Sequence, residues 1–169
     1  MDTWFQVRFM LKRVIRKIRF TFLRQGIGTY KEFSLTKPFD QITPEKVKQN
    51  IELLRPYYLQ YINEISSSNM AASLELSGYL LSICQTNQYS RLLDMGSGFS
   101  SFILRHYAKE NPHAQVVSVD DNAAWLEKTK AFLEQHHLGT KNIFHLDNFI
   151  NFNENDFDLV LHDLNFVEV

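Results

Sequence analysis

Leu92-Leu93-Asp94-Met95-Gly96-Ser97-Gly98-Phe99-Ser100-Ser101 is an apolar run that meets an acidic residue, two glycines and the start of a helical periodicity. The apolar half predicts a buried strand, and Phe99 to Tyr107 predicts a helix, so the glycines fall at a strand-to-helix turn. Glycines at 96 and 98 remove Cβ atoms where the backbone must turn sharply and approach a ligand. The helix that follows presents unpaired N–H groups to polar or anionic atoms. Taken alone, the same glycines also read as a tight turn with no ligand.

Downstream of this turn, short apolar runs alternate with helical stretches: strands at Arg91 to Met95, Gln115 to Val119, Asn142 to Leu146 and Phe157 to Leu161, helices at Phe99 to Tyr107 and Ala123 to His137. That alternation predicts a parallel sheet of the α/β class. Upstream, Thr43-Pro44 predicts a helix start, with Thr as N-cap and Pro at the first helical position, running to about Leu54. Pro56 is expected to interrupt it before a second segment from Tyr57 to Ile65. A third helix is expected from about Met70 to Cys84, with Leu74, Leu80, Leu81 and Ile83 available for burial. The expected organisation is a basic helix over 1–24, a linker over 25–42 carrying the Gln25-Gly26-Ile27-Gly28-Thr29 breaker, a helical region over 43–85 and the sheet domain over 86–169.

The chain of 169 residues is 44% apolar and 22% charged, the balance of a globular domain. Its net charge of −1 gives no reason to expect a nucleic-acid partner, but the average conceals an asymmetry. Residues 1–31 hold eight basic residues against Asp2 alone, a net of +7, and the remainder carries −8. Trp4, Val7, Leu11, Val14, Ile15, Ile18 and Phe22 share one face of a helical wheel, while Arg8, Lys12, Arg13, Arg16, Lys17 and Arg19 occupy the other. Docking on the rest of the protein, peripheral contact with an anionic membrane surface and binding of a protein partner are the three readings of this helix. Basic residues recur too often in it for a signal peptide or a span, and a cytoplasmic location is expected. The lone Cys84 excludes an internal disulfide and a thiolate zinc cluster, and reads as helix packing.

Val116-Val117-Ser118-Val119 ends in Asp120, 22 residues past Gly98, where a carboxylate at a strand tip can accept both hydroxyls of a ribose. Asp121 and Asn122 also read as caps of the helix that begins near Ala123. Two nucleoside cofactors fit this spacing. A dinucleotide needs room for a pyrophosphate at the helix start, and Asp94 would repel it. The third glycine of the dinucleotide fingerprint is replaced by Ser101. S-adenosylmethionine has no phosphate and carries a sulfonium and an ammonium, so an acid before the glycines suits it.

With these features the sequence resembles the class I S-adenosylmethionine-dependent methyltransferases over about Met70 to Asp163, through LLDMGSGFSS, VVSVDDN and FDLVLHD. The resemblance implies a Rossmann-like parallel sheet of about four strands in 3-2-1-4 order, flanked by helices and preceded by an N-terminal helical region. It implies that Asp94, Gly96, Ser97 and Gly98 surround the methionine part, that Asp120 with neighbouring Asp121 holds the ribose, and that Asp147 and Asn148 lie near the adenine amine. His162 and Asp163 end the fourth strand at the same edge and are the candidate catalytic residues, facing a small-molecule methyl acceptor. In the catechol-type branch of the family the acid after this strand ligates a divalent metal. That branch draws a second acidic or amide pair from a further strand that this sequence does not reach, so no metal ligand is assigned. His136-His137 before Gly139 reads as a helix cap, with the glycine closing the helix.

The leading expectation is S-adenosylmethionine-dependent methyl transfer to an oxygen of a small molecule. A non-catalytic cofactor-binding or membrane-associated module and an NAD-dependent oxidoreductase fragment are the alternatives. A sheet of four strands leaves Leu159, Val160 and Leu161 on an edge, which a homodimer, a partner chain, the N-terminal helices or further protein is expected to cover.

Overall fold

The structure, a computed structural model, describes residues 41–149, 152 and 156–162. The expected basic helix, most of the expected linker and Asp163 lie outside them. Two helices come first, α1 (Pro44–Glu64) and α2 (Leu74–Asn87), followed by β1 (Arg91–Met95), α3 (Phe99–Glu110), β2 (Gln115–Asp120), α4 (Ala123–Gln135), β3 (Ile143–His145), a single turn α5 (Leu146–Phe149) and β4 (Leu159–His162). All pairings are parallel, and the strand order is β3-β2-β1-β4.

Pro56 does not divide α1. Thr43 Oγ1 accepts from Lys46 N at 3.2 Å with Pro44 behind it, and the helix runs unbroken through the proline. An internal proline costs a helix about 3 kcal/mol through its missing donor and its ring. Pro56 sits on the exposed face, while Leu54 before it and Tyr61 after it are fully buried in the same core. Packing on both sides of the proline holds the helix together.

α2 starts at its N-cap Ser73, whose hydroxyl accepts from Leu76 N, four residues beyond the expected start. It packs against α1 at Gly78, where an added Cβ would lie 2.4 Å from Ile51 Cγ1 and 3.1 Å from the Val47 carbonyl oxygen. Only a residue without a side chain allows this approach. Leu74, Leu80, Leu81, Ile83 and Cys84 are buried.

The principal core lies on one face of the sheet. Leu92 and Val116 point into it beneath Phe99, Phe102, Ile103, Leu104 and Tyr107 of α3 and Phe132 and Leu133 of α4, and α1 and α2 join it through Leu54, Tyr61, Leu74 and Leu81. Residues of the 43–85 segment and of the sheet domain therefore share one continuous core. The other face buries Leu93, Val117 and Val119 against Phe144, Phe149, Phe152 and Phe157. This division follows from alternation along the strands.

Gly139 does not close α4. The backbone leaves the helix at His137, which takes the left-handed conformation (φ 55°), with His137 N donating to the Glu134 carbonyl and Leu138 N to the Leu133 carbonyl at 3.0 and 2.9 Å. This is a Schellman ending with buried Leu138 as its apolar partner. The ring of His136 packs against Tyr57, Phe102 and Phe132.

At the amino edge of the sheet, Asp158 Oδ2 accepts from Ser90 N, Ser90 Oγ and Arg91 N, each at 2.8 Å. The Ser90 and Arg91 donors hold its carboxyl below the usual range. This clamp sets the register of β4 on β1, in which Met95 lies beside His162.

Candidate functional site

The chain passes from β1 to β2 on one side and to β4 on the other, so the carboxyl end of β1 is the point where the strand order reverses. Ligands of open α/β sheets bind in the crevice outside such a point. Gly96 lies there with φ 113°, a conformation that side chains strain to adopt, and its N–H donates to the Val119 carbonyl at 2.9 Å. Gly98 has a different reason to be glycine. A Cβ there would meet the Tyr61 hydroxyl at 3.2 Å.

Asp94 is fully buried at the end of β1. Its Oδ2 accepts from the Ser101 hydroxyl and from Ser118 Oγ, the latter at 3.3 Å. Ser101, the residue in place of a third glycine, thus ties the first turn of α3 to the acid. Among the described residues Asp94 Oδ1 has no hydrogen-bond partner. Burial raises the carboxyl to about 6, against the opposing effects of the Ser101 and Ser100 hydroxyls, Arg105 and Ser118.

Arg105 of α3 supplies the compensating charge from within the core. It donates through Nη1 to Ser118 Oγ at 2.6 Å, through Nε to the Gly139 carbonyl at 2.9 Å and through Nη2 to the Lys141 carbonyl at 3.2 Å. Burial lowers its pKa to about 10, so it remains a cation. The chain Arg105, Ser118, Ser101, Asp94 crosses three elements and ends at a carboxylate whose other oxygen is buried and unpartnered among the described residues.

Asp120, at the tip of β2, is also buried. Its Oδ2 accepts from Ser97 N at 2.8 Å and Ser97 Oγ at 3.1 Å, and its Oδ1 accepts from Asn122 N at 2.9 Å. The acid expected at the ribose therefore also braces the glycine turn from the neighbouring strand. Trp125 of α4 covers the same turn, with its Nε1–H donating to the Ser97 carbonyl at 2.5 Å.

Further along the edge, His145 lies beside Asp120 in the sheet register, with Nε2 2.9 Å from the Asp121 carbonyl and Nδ1 3.4 Å from Asp147 Oδ2. Asp121 is exposed, and Asn122 caps α4 by accepting from Trp125 N at 3.1 Å. Asp147 and Asn148 are exposed on α5. His162 is exposed at the end of β4. The structure thus gathers Asp94, Gly96, Ser97, Gly98 and Asp120 around one turn, and sets Asp121, Asp147 and Asn148 along the edge beyond β2.

Tyr61, Arg105, Ser118, Trp125 and His145 adjoin this turn and its edge without standing out in the sequence, where Ser101 marks only the missing third glycine. Two of them left a trace. Ser118 interrupts a valine strand, and Arg105 falls between Leu104 and Tyr107 on an otherwise apolar helix face. Among the described residues no group of three or more His, Cys, Asp or Glu side chains is placed to hold a metal, and no helix is long and apolar enough to cross a membrane.

The model of the methyltransferase small domain family matches residues 75–166, more than half of the chain. No curated protein matches it. Among solved structures, the chain is similar to the SAH-bound methyltransferase PaMTH1 of Podospora anserina, with 16% identity and a TM-score of 0.52 over 73% of this chain and 51% of that one. A Staphylococcus aureus structure assigned as a caffeoyl-CoA O-methyltransferase aligns at 21% identity and a TM-score of 0.48 over 65% of this chain and 51% of that one. The chain spans about half the length of either structure.

Proposed function

Because the chain belongs to the methyltransferase small domain family, we propose that it binds S-adenosylmethionine at the turn after β1 and takes part in methyl transfer to an oxygen of a small molecule. The observation that carries this reading is Asp94, buried at the reversal point beside Gly96, with Oδ1 left without a partner among the described residues. A buried carboxylate with one oxygen unpartnered suits a cationic ligand and disfavours a pyrophosphate. The donor set fits the cofactor. In this reading Gly96 and Gly98 would allow its close approach, Asp94 would meet its positive charge, Asp120 and Asp121 would hold the ribose, and Asp147 and Asn148 would serve the adenine amine.

When bound, S-adenosylmethionine supplies a methyl group on a sulfonium, a leaving group that needs no activation by the protein. What the chain contributes is position: a turn braced by Ser97 on Asp120 and roofed by Trp125, with little freedom left in its backbone. His162, exposed at the end of β4, and Asp163, next in sequence, are the candidate residues to take a proton from an acceptor hydroxyl.

Calorimetric titration of the full chain with S-adenosylmethionine and with NAD tests the reading. Saturable binding of the first alone, weakened by Asp120→Ala, is expected. Binding of NAD alone would establish the oxidoreductase alternative. Incubation with a labelled methyl donor and a panel of hydroxylated acceptors then tests transfer.

A further inference from the structure

Tyr61 reaches the glycine turn from α1, outside the segments that carry the sequence resemblance. Its ring is fixed on two sides, 5.3 Å from Phe99 and 5.0 Å from Phe132 between centroids, and the residue is 1% exposed. Ring packing of this kind is served equally by phenylalanine. The hydroxyl is the atom that needs explaining, because it is buried at the turn with no hydrogen-bond partner among the described residues.

Other oxygens at the turn already accept from protein donors. Asp120 accepts from Ser97 and Asn122, Asp94 Oδ2 accepts from Ser101 and Ser118, and the Ser97 carbonyl accepts from Trp125. Burial and the carboxylates of Asp94 and Asp120 all raise the Tyr61 pKa, so the hydroxyl keeps its proton and acts as a donor. Around one turn the protein therefore presents a buried donor and a buried acceptor, Tyr61 Oη and Asp94 Oδ1, neither satisfied among the described residues. A ligand with an acceptor and a donor on adjacent atoms completes both, and an α-amino acid zwitterion is such a group.

We infer that the Tyr61 hydroxyl donates to the carboxylate of the methyl donor's amino-acid tail, while Asp94 Oδ1 accepts from the ammonium on the same carbon. This rests on the methyl-donor reading above and adds a positioning residue from α1. The helical segment before the sheet is then part of the cofactor site.

Tyr61→Phe in the full chain tests it with two ligands that share a nucleoside. S-adenosylhomocysteine has the amino-acid tail, and 5′-methylthioadenosine lacks it. The substitution is expected to raise the Kd for S-adenosylhomocysteine about 10-fold or more, as for loss of a hydrogen bond to a charged group, and to change that for methylthioadenosine less than about 2-fold. The melting temperature of the ligand-free variant should equal or exceed that of the wild type, because an unsatisfied buried hydroxyl has been removed. Unchanged affinity for both ligands, an equal loss for both, or a lower ligand-free melting temperature would overturn the inference while leaving methyl-donor binding intact. Failure of the wild type to bind either ligand would overturn the methyl-donor reading and this inference with it.

Discussion

Ser97 and Asp120 come from opposite sides of the β1–β2 pair, and both the N–H and the hydroxyl of the serine point at one oxygen of the acid. A carboxylate has about four acceptor positions, and protein donors occupy three at Asp120. A ribose bound at Asp120, as proposed, would compete with the Ser97 hydroxyl. Ser97→Ala should leave cofactor affinity unchanged or raise it up to about 5-fold, whereas Asp120→Ala should lose about 10-fold or more and destabilise the fold by about 1–3 kcal/mol. Calorimetry with urea unfolding of the two variants checks the contrast.

The burial of Asp94 makes stability depend on pH. Its folded pKa, about 6, exceeds the ordinary value of 3.8, so the folded state favours the protonated acid. The associated stability is complete below about pH 4 and is lost as pH rises through 6, a change on the order of 3 kcal/mol. Burial lowers His106 and His136 from 6.5, which adds stability with rising pH over an overlapping range. The diagnostic is thus the difference between wild type and Asp94→Asn, which should fall from pH 4 to about pH 6 and level off above it in urea titrations.

Arg105 is the internal counter-charge, and two of its three hydrogen bonds go to carbonyls of the loop before β3. Arg105→Met should lower stability by at least about 2 kcal/mol, since it strips a buried carboxylate of its cation and two carbonyls of their donor. It should also raise the Asp94 pKa further, moving the pH at which the ligand begins to bind upward. Arg105→Lys retains the charge without the fork and should fall between the two in unfolding midpoint.

At the α1–α2 contact, Gly78→Ala should cost about 1–3 kcal/mol, because the new Cβ meets the backbone of Val47 and Ile51 as well as the Ile51 side chain. Adding Ile51→Ala removes only the side-chain part of that clash. The double variant should therefore not recover the glycine's stability, a comparison that thermal melting resolves.

Strands β1 and β2 could be read from sequence because each is a short apolar run that stops at Gly96 or Asp121, and parallel pairing buries both faces of such strands. The glycine turn and its acids could be read for the same local reason. What could not be read depends on partners far along the chain. α1 continues through Pro56 because Leu54 and Tyr61 are both anchored by distant residues, and the left-handed ending falls on His137 because Leu138 finds a place in the core. Tyr61, Arg105 and Trp125 look like ordinary helix residues until the fold brings them to Gly98, Ser118 and Ser97.

The Asp158 clamp lies at the opposite end of the strands from the glycine turn. Alignment of β4 is thus secured where no ligand is expected, and the tips of the strands are spared that task. For an engineer this separates two kinds of risk: substitutions at Asp158 or Ser90 endanger assembly of the sheet, while exposed residues beyond the strand tips, such as Asp121, Asp147 and Asn148, can be exchanged to seek new ligand preferences with the strand alignment held elsewhere.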